Sequence, residues 1–474
     1  MEAKAGLSQR SSLIYLGVKN SEKDFWICSG GRWIEDKYPD IMDKEYLEIL
    51  LRTKKNDMQV TKIISLEYTP AVDKGENYMS TMLRYKLVVL LVSGETAVKH
   101  LIVKSLPKSE NHCAFVKEFS YFKNEIYMYT TVLKNMETLM EEFQDKREIV
   151  WCELIDYEPY HKLIMQDLKD LHFRVLNRRE TLDLQHSLFV MNALARFHAM
   201  SAILLKRNTL RPSEFEPFVF SKEKIVNFVI VACLKAMTKA VKLTWDEQCQ
   251  SDCNFRSFLP DLLNKAADNC YPILRELTKP DAGRFNVINH GDCWTNNILF
   301  QHIENTNLPS AVRFVDFQIC HYNSFAWDVT FFIYSSIRPN IRRENYIQLL
   351  ASYHKALCNT LKFYQYPESE IPSFRKCIDE MKAIKYFGAM VLLSVHAVTT
   401  ATCDEPFDVD QNLKNDSEGG VKEEIFTDPN YRESIKDDIK DFIEEGYLEV
   451  KNPDSPANRT KKKTSSLFYD VHFD

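Results

Sequence analysis

Apolar and polar positions begin to alternate at Val60. The runs "VTKIISLEYTPA", "STMLRYKLVVLLV" and "AVKHLIVKSL" read as three strands, separated by the turn-rich "DKGENY" and "SGET". Connections that short predict an antiparallel meander, because parallel strands need long crossovers. The period then changes. In "NHCAFVKEFSYFKNEIYMYTTVL", Phe115, Phe119, Phe122 and Ile126 recur at helical spacing, which predicts one helix with one apolar face, ending near Met136. A strand-like pair, "REIVWCELIDYE" and "HKLIMQDL", closes this unit. Ahead of it, "MDKEYLEILLRT" reads as a short amphipathic helix.

After Asp170 the pattern is mostly helical, from "LDLQHSLFVMNALARFHAMSAILL" through 206–280, with breaks expected at Pro212, Pro217, Pro260 and Pro272. Two strand-like islands interrupt the second half, "VINHGDCWTNNILF" and "AVRFVDFQI". Helical character returns with "YIQLLASYHKALCNTL" and "YRESIKDDIKDFIEEG". Between them the acidic "CDEPFDVDQNLKNDSEGGVKEE" reads as a surface loop. The implied organisation is an extension over 1–44, a sheet-rich lobe over 45–166, a helical lobe over 167–450, and a tail over 451–474 with a disorder-like composition.

Composition narrows the class of partner. The chain has 474 residues, 45% hydrophobic and 27% charged, with a net charge of -6, so it buries a large core and carries no overall basic footprint for nucleic acid. The opening residues lack the apolar core of a secretory signal, and the longest apolar run, "YFGAMVLLSVHAV", is shorter than a membrane span needs. Twelve scattered cysteines without a C-x-x-C pair then read as reduced thiols of a cytoplasmic protein.

The islands carry the chemistry. Asn297 begins one strand of a hairpin and Asp316 follows the other, so the two meet at one end, with Asp292 in the loop just before. An Asn/Asp oxygen pair suits Mg²⁺, which keeps several waters and also takes phosphate oxygens. The free Asp292 would then face an incoming hydroxyl, as phosphoryl transfer requires. An Asp in water has a pKa of about 3.9, so its expected role is to orient the alcohol and accept its proton late. Lys104 ends the third strand inside an apolar stretch and needs a partner there. Glu125 on the next helix, three residues after core-facing Phe122, is the candidate, with Glu118 a weaker one. A Lys on strand three paired to a Glu on the following helix is how kinases position phosphates. The turn holding Gly75, Asn77 and Ser80 falls where a phosphate-covering loop belongs.

These segments resemble the aminoglycoside phosphotransferase and choline kinase superfamily, and more closely the insect ecdysteroid kinase-like family. The resemblance runs through "GENYMS", "LIVKSLP", "FSYFKNEIYMY", "MQDL", "LARFHAMS", "HGDCWTNNILF" and "VDFQ". It implies an α+β, two-lobed protein-kinase-like fold, with a small antiparallel-sheet N-lobe and a larger, mostly helical C-lobe. It implies Asp292 as the catalytic carboxylate, Asn297 and Asp316 as Mg²⁺ ligands, and Lys104 with Glu125 on the phosphates of ATP. Met165 to Leu168, including Gln166, would be the hinge whose backbone meets adenine. Asp328 would brace the catalytic loop, His198 would pack beneath it, and His290 would support it.

The activity so implied is an ATP-dependent kinase acting on a small-molecule alcohol, an ecdysteroid or another steroid-like or xenobiotic compound. Trp294 stands where many protein kinases have Lys, which argues against a protein substrate. Phe218, Phe220, Phe228, Trp245, Tyr386 and Phe387 are the aromatic candidates for the acceptor pocket. A choline- or aminoglycoside-type kinase, a nucleotide-binding pseudokinase and a hormone carrier are the competing readings.

Overall fold

The computed structural model describes residues 42–448 except 55–56, 73–78, 245–252, 404 and 416–418. Apart from Met42 and Asp43, these lie in the compact unit Lys44–Asp474. Helix α1 (Lys44–Thr53) buries Leu47, Leu50 and Leu51. The meander follows as β1 (Val60–Pro70), β2 (Thr81–Leu91) and β3 (Thr96–Ser105). With β4 (Leu154–Glu158) and β5 (Lys162–Gln166) it forms one antiparallel sheet of order β1-β2-β3-β5-β4. On β2, Tyr85, Leu87 and Val89 point into the core. Met82 and Arg84, of the opposite parity, line a cavity.

The single helix expected after β3 is broken. It runs as α2 (Glu110–Glu118), α3 (Tyr121–Tyr127), a π-helical turn (Met128–Val132) and α4 (Leu133–Glu142). Ser120 adopts a left-handed φ of 58° and bends the chain between α2 and α3. The bend leaves Tyr121, Phe122 and Glu125 on one buried face of α3. Residues 149–153 are not part of β4; there Trp151 instead forms an isolated parallel bridge to Phe314.

The second lobe is built around α5 (Leu184–Lys206), whose N-cap is Asp183 and whose stretch from Ala193 to Leu204 is buried. This helix is long and apolar enough to cross a membrane, but 72% of its most apolar window is buried inside the protein, as in the core helix of a globular lobe. Helices α6 (Glu223–Val226), α7 (Ala232–Thr244) and α8 (Cys253–Leu277) follow, with Pro260 and Pro272 inside α8 instead of breaking it. The strand islands become β6 (Arg174–Val175), β7 (Asn286–Asn289), β8 (Ile298–His302), β9 (Pro309–Phe314) and β10 (His321–Ser324). They pair as β6-β8-β9 and β10-β7. Helices α9 (Ala326–Ser336), α10 (Pro339–Phe363), α11 (Phe374–Ala383), α12 (Lys385–Leu393) and α13 (Val395–Thr400) complete the packing.

The acidic segment read as a surface loop is built into the fold instead. It contains α14 (Val409–Lys414) and a bridge between Phe407 and Val421, and it buries Val409 and Asn412. Helix α15 (Pro429–Glu444) follows it and is tied to α10 by Arg342 and Arg343 on Asp438. The architecture is α+β and two-lobed, an antiparallel sheet with its helices against a larger helical lobe.

Two histidines in the helical lobe are buried neutral. Burial holds His321 down at about 4 and His396 down at about 3, the latter helped by nearby Arg342. A free histidine titrates near 6.5, so their contribution to stability is complete above that pH and is lost as pH falls. The free energy of urea unfolding is expected to drop as pH goes from about 6.5 to about 4, by about 1.4 kcal/mol per histidine per pH unit. His396→Gln is expected to flatten that slope, and an unchanged slope would contradict the assignment.

Candidate active site

The loop at Asp292 is fastened from behind. Asp328, in the first turn of α9, accepts the backbone N–H groups of His290 and Gly291, the latter at 2.7 Å. The same carboxylate meets His198 Nε2 at 2.9 Å, and His198 Nδ1 meets the Tyr353 hydroxyl at 2.8 Å. Burial pushes the Asp328 carboxyl up, but His198 and the other nearby histidines outweigh it and hold the group below its ordinary value. Gly291 has a φ of +86°, and a Cβ there would stand 2.3 Å from the Ile319 carbonyl oxygen, so only glycine makes this turn. His290 Nδ1 accepts the Asp292 backbone N–H at 3.2 Å, so its Nε2–H donates to the Val315 carbonyl at 3.0 Å. That pattern is a neutral histidine shaping the loop, consistent with burial pulling its pKa below the ordinary value.

Asp292 itself is held by Asn297, whose amide nitrogen donates to the Asp292 carbonyl at 2.9 Å and to its carboxylate at 3.0 Å. The turn follows from sequence: a 3-10 turn, Thr295–Asn297, runs straight into β8. Burial first, and then the Asp316 charge, push the Asp292 carboxyl up to about 7, and the Asn297 amide only partly offsets them. The ordinary value near 3.9 expected from the sequence therefore does not hold, because burial in this loop is a tertiary property. Neighbouring Cys293 is buried, and burial pushes its thiol far up, so it stays protonated and inert.

Across the cavity, Lys104 Nζ lies 2.6 Å from Glu125 Oε2 and 2.6 Å from Asp316 Oδ1. The side chains of Lys104 and Glu125 are 3% and 0% exposed. Burial alone would discharge the ammonium, but Asp316 and Glu125 outweigh it and raise its pKa above the ordinary value. Lys104 is placed by β3, where it pairs with Leu163 of β5, and Glu125 is placed by α3. Asp316, just past β9, has a left-handed φ of 68°, a conformation rare for a residue with a side chain. Phe317 beside it is fully buried against His290, Phe197 and Tyr129.

One cavity of about 650 Å³ joins these groups. Its polar half holds Lys104, Glu125, Asp292, Asn297 and Asp316, and Gln166, Asp167 and Leu168, at and just past the end of β5, line it too. The Gln166 N–H is spent on the Glu153 carbonyl at 3.0 Å. Gly75 and Asn77 lie outside the described residues, and Ser80 does not line the cavity, whereas Met79 and Met82 do. The sequence reading missed Arg84, which joins β2 to the segment after β5 through Asp167. Its signal was strand parity, since it shares a face with Met82. Of the aromatic acceptor candidates, Phe220 and Phe228 line the cavity. Phe218, Tyr386 and Phe387 belong to the core, with Phe218 stacked on His321, while Trp245 lies outside the described residues.

The donor set fits a phosphate-bound divalent cation. Among the described residues, no three His, Cys, Asp or Glu side chains form a self-sufficient metal cluster. The Asn297 amide nitrogen is turned to Asp292, which directs its carbonyl oxygen elsewhere, and Asp316 offers a second oxygen. Two protein oxygens suit Mg²⁺ only if phosphate and water complete its shell.

The model of the ecdysteroid kinase-like family matches residues 74–366, a span that holds every charged group of this cluster. The chain belongs to that family. As an ecdysteroid kinase-like protein it is a small-molecule phosphotransferase with a nucleotide site. No curated protein matches the chain. Seventy-one chains of solved structures match. One is the GDP complex of a mutant aminoglycoside 2′-phosphotransferase-IIIa, at 11% identity over 86% of this chain and 100% of that one, with a TM-score of 0.33.

Removing the Asp328 carboxylate would leave two buried backbone N–H groups and His198 without their acceptor. Asp328→Ala is expected to destabilise the protein by about 3–5 kcal/mol and to abolish activity. Urea unfolding checks this, and a loss below about 1 kcal/mol would mean that the loop is braced from elsewhere.

Proposed function

We propose that this ecdysteroid kinase-like protein is an ATP-dependent kinase that phosphorylates a hydroxyl on an uncharged, largely apolar small molecule, an ecdysteroid or another steroid-like or xenobiotic alcohol. The observation that carries this reading is the division of the cavity into two unlike halves. Away from the charged cluster its wall is Val219, Phe220, Ile225, Phe228, Val229, Phe331, Val395 and Val398. The hydroxyls on that side, of Ser394 and Thr399, are bonded to backbone carbonyls. Among the described lining residues the only carboxylates are Glu125, Asp167, Asp292 and Asp316, and three of these are paired with Lys104 or Arg84. A cationic acceptor such as choline or an aminoglycoside finds no acidic subsite there, which disfavours that alternative.

The roles follow from position. ATP would lie between Ile102 and Met165 of the sheet lobe over 45–166 and Leu299 and Val315 of the helical lobe, with its phosphates directed to Lys104. Glu125 keeps Lys104 in place. Asn297 and Asp316 would hold Mg²⁺, which when bound neutralises charge on the phosphates. The acceptor oxygen bonds to the γ-phosphorus, the bond from that phosphorus to the bridging oxygen of ADP breaks, and Asp292 takes the hydroxyl proton. A carboxyl raised to about 7 accepts a proton near neutral pH better than an ordinary Asp does. Work in the reducing cytoplasm is part of the proposal and rests on the scattered cysteines of the sequence, which include no C-x-x-C pair.

Incubation with Mg·ATP and a mixed library of neutral and cationic alcohols, read by mass spectrometry, tests the proposal. Neutral, apolar alcohols are expected to gain one phosphoryl group, and Asp292→Asn is expected to lower the turnover by about 10²–10⁴-fold while ATP still binds. Bound ATP with no transfer to any alcohol would favour the pseudokinase reading, and phosphorylation confined to the cations would overturn the acceptor class.

A further inference from the structure

We propose that Phe407 determines which acceptors the cavity admits, and that Asp410 and Asn412 are positioning residues that hold it there. The inference rests on reading the apolar half as the acceptor site. Every member of the transfer cluster lies within the family-matched span 74–366, but the acceptor wall is completed from beyond it, and Phe407 is the largest side chain so contributed. Its ring meets Phe228, also in the wall, at 5.1 Å between centroids, and Phe228 in turn lies 4.8 Å from Phe115 of α2.

The stretch 406–415 is fastened to both lobes. On the helical side the Asn412 amide donates to the Phe228 carbonyl at 2.8 Å in a buried contact. On the sheet side the Ser109 hydroxyl, which caps α2, donates to the Asp410 carboxylate. Behind both, the Asp408 N–H donates to the Gly420 carbonyl at 2.7 Å, and Gly420 packs so closely that a Cβ would lie 2.2 Å from the Asn412 Cβ. A large apolar ring lining the cavity, carried on a backbone fastened at Asp408, Asp410 and Asn412, sets a dimension of the cavity. The depth available to a rigid, multi-ring alcohol therefore depends on this one side chain, whose ring packs on Phe228 of the same wall.

The experiment is equilibrium dialysis with uncharged alicyclic alcohols, graded from a monocyclic to a tetracyclic body. Phe407→Ala is expected to shift the affinity ratio about tenfold toward the bulkiest alcohol, the order of effect of one hydrophobic group in a pocket, and Phe407→Trp to shift it the other way. Asp410→Ala, remote from the cavity, is expected to reproduce the Phe407→Ala shift, and Asp410→Asn, which can still accept from Ser109, to restore the wild-type ratio. ATP affinity should stay within about twofold throughout, a split that a merely structural role would not produce. Should Phe407→Ala not fold, Phe407→Leu carries the same test. An unchanged ratio, or ATP affinity falling in step with alcohol affinity, overturns the proposal. Alcohols that bind in the predicted order but receive no phosphate sink the kinase reading and leave Phe407's role standing. A wild-type protein that binds none of them sinks both.

Discussion

The ammonium of Lys104 has almost no water and two carboxylates. It draws Glu125 from α3 and Asp316 from the end of β9 to within 2.6 Å of one atom, so one charge joins the sheet, its helix and the helical lobe. A buried cation is tolerable only while it is paired, and breaking such a pair costs several kcal/mol. The geometry around it follows from that constraint. Asp316 accepts a left-handed backbone to reach Lys104, and Phe317 is packed to keep it there. The charge of Asp316, second to burial, then raises the carboxyl of Asp292. The same ammonium that joins these elements is the group phosphates would meet.

The grouping of the charged residues was largely legible in the sequence because its spacing is local. Asp292 and Asn297 share one turn, Asp316 returns at the other end of one hairpin, and Lys104 and Glu125 sit on consecutive elements. Asp328 was legible only through family likeness, since nothing local announces that a carboxylate at the start of a helix will turn back onto His290 and Gly291. The kink at Ser120 was not legible, because a serine in a left-handed conformation leaves the apolar period around it intact. The acidic stretch holding α14 looked solvated by composition, yet it hides Asn412 and Val409. The raised carboxyl of Asp292 was out of reach for a further reason: burial is set by packing across the whole lobe.

The apolar wall proposed for the acceptor was the least legible part. Its side chains come from segments that the chain order keeps far apart, around 219–233, at Phe331 and over 395–407, and they meet only in the folded lobe. An aliphatic residue in that wall looks the same in sequence as one in the core. Phe218, Tyr386 and Phe387 were candidates that became core, and Ile225, Val229 and Val398 were unremarked residues that became wall. The site is therefore asymmetric in origin as in chemistry. Its charged half comes from short motifs inside the family-matched span, and its apolar half from long-range packing that continues past it.

The central claim is that the cleft around Lys104 and Asp316 receives phosphates together with a divalent cation. Calorimetric titration of ATP into the protein, with and without Mg²⁺, tests it most directly. The account predicts that Mg²⁺ tightens binding at least about tenfold and that Asp316→Asn removes most of this gain, because the one charged protein ligand to the cation becomes a neutral amide. It predicts that Lys104→Met weakens binding whether or not Mg²⁺ is present. Binding of equal strength with and without Mg²⁺, or a Mg²⁺ gain that survives Asp316→Asn, would contradict it.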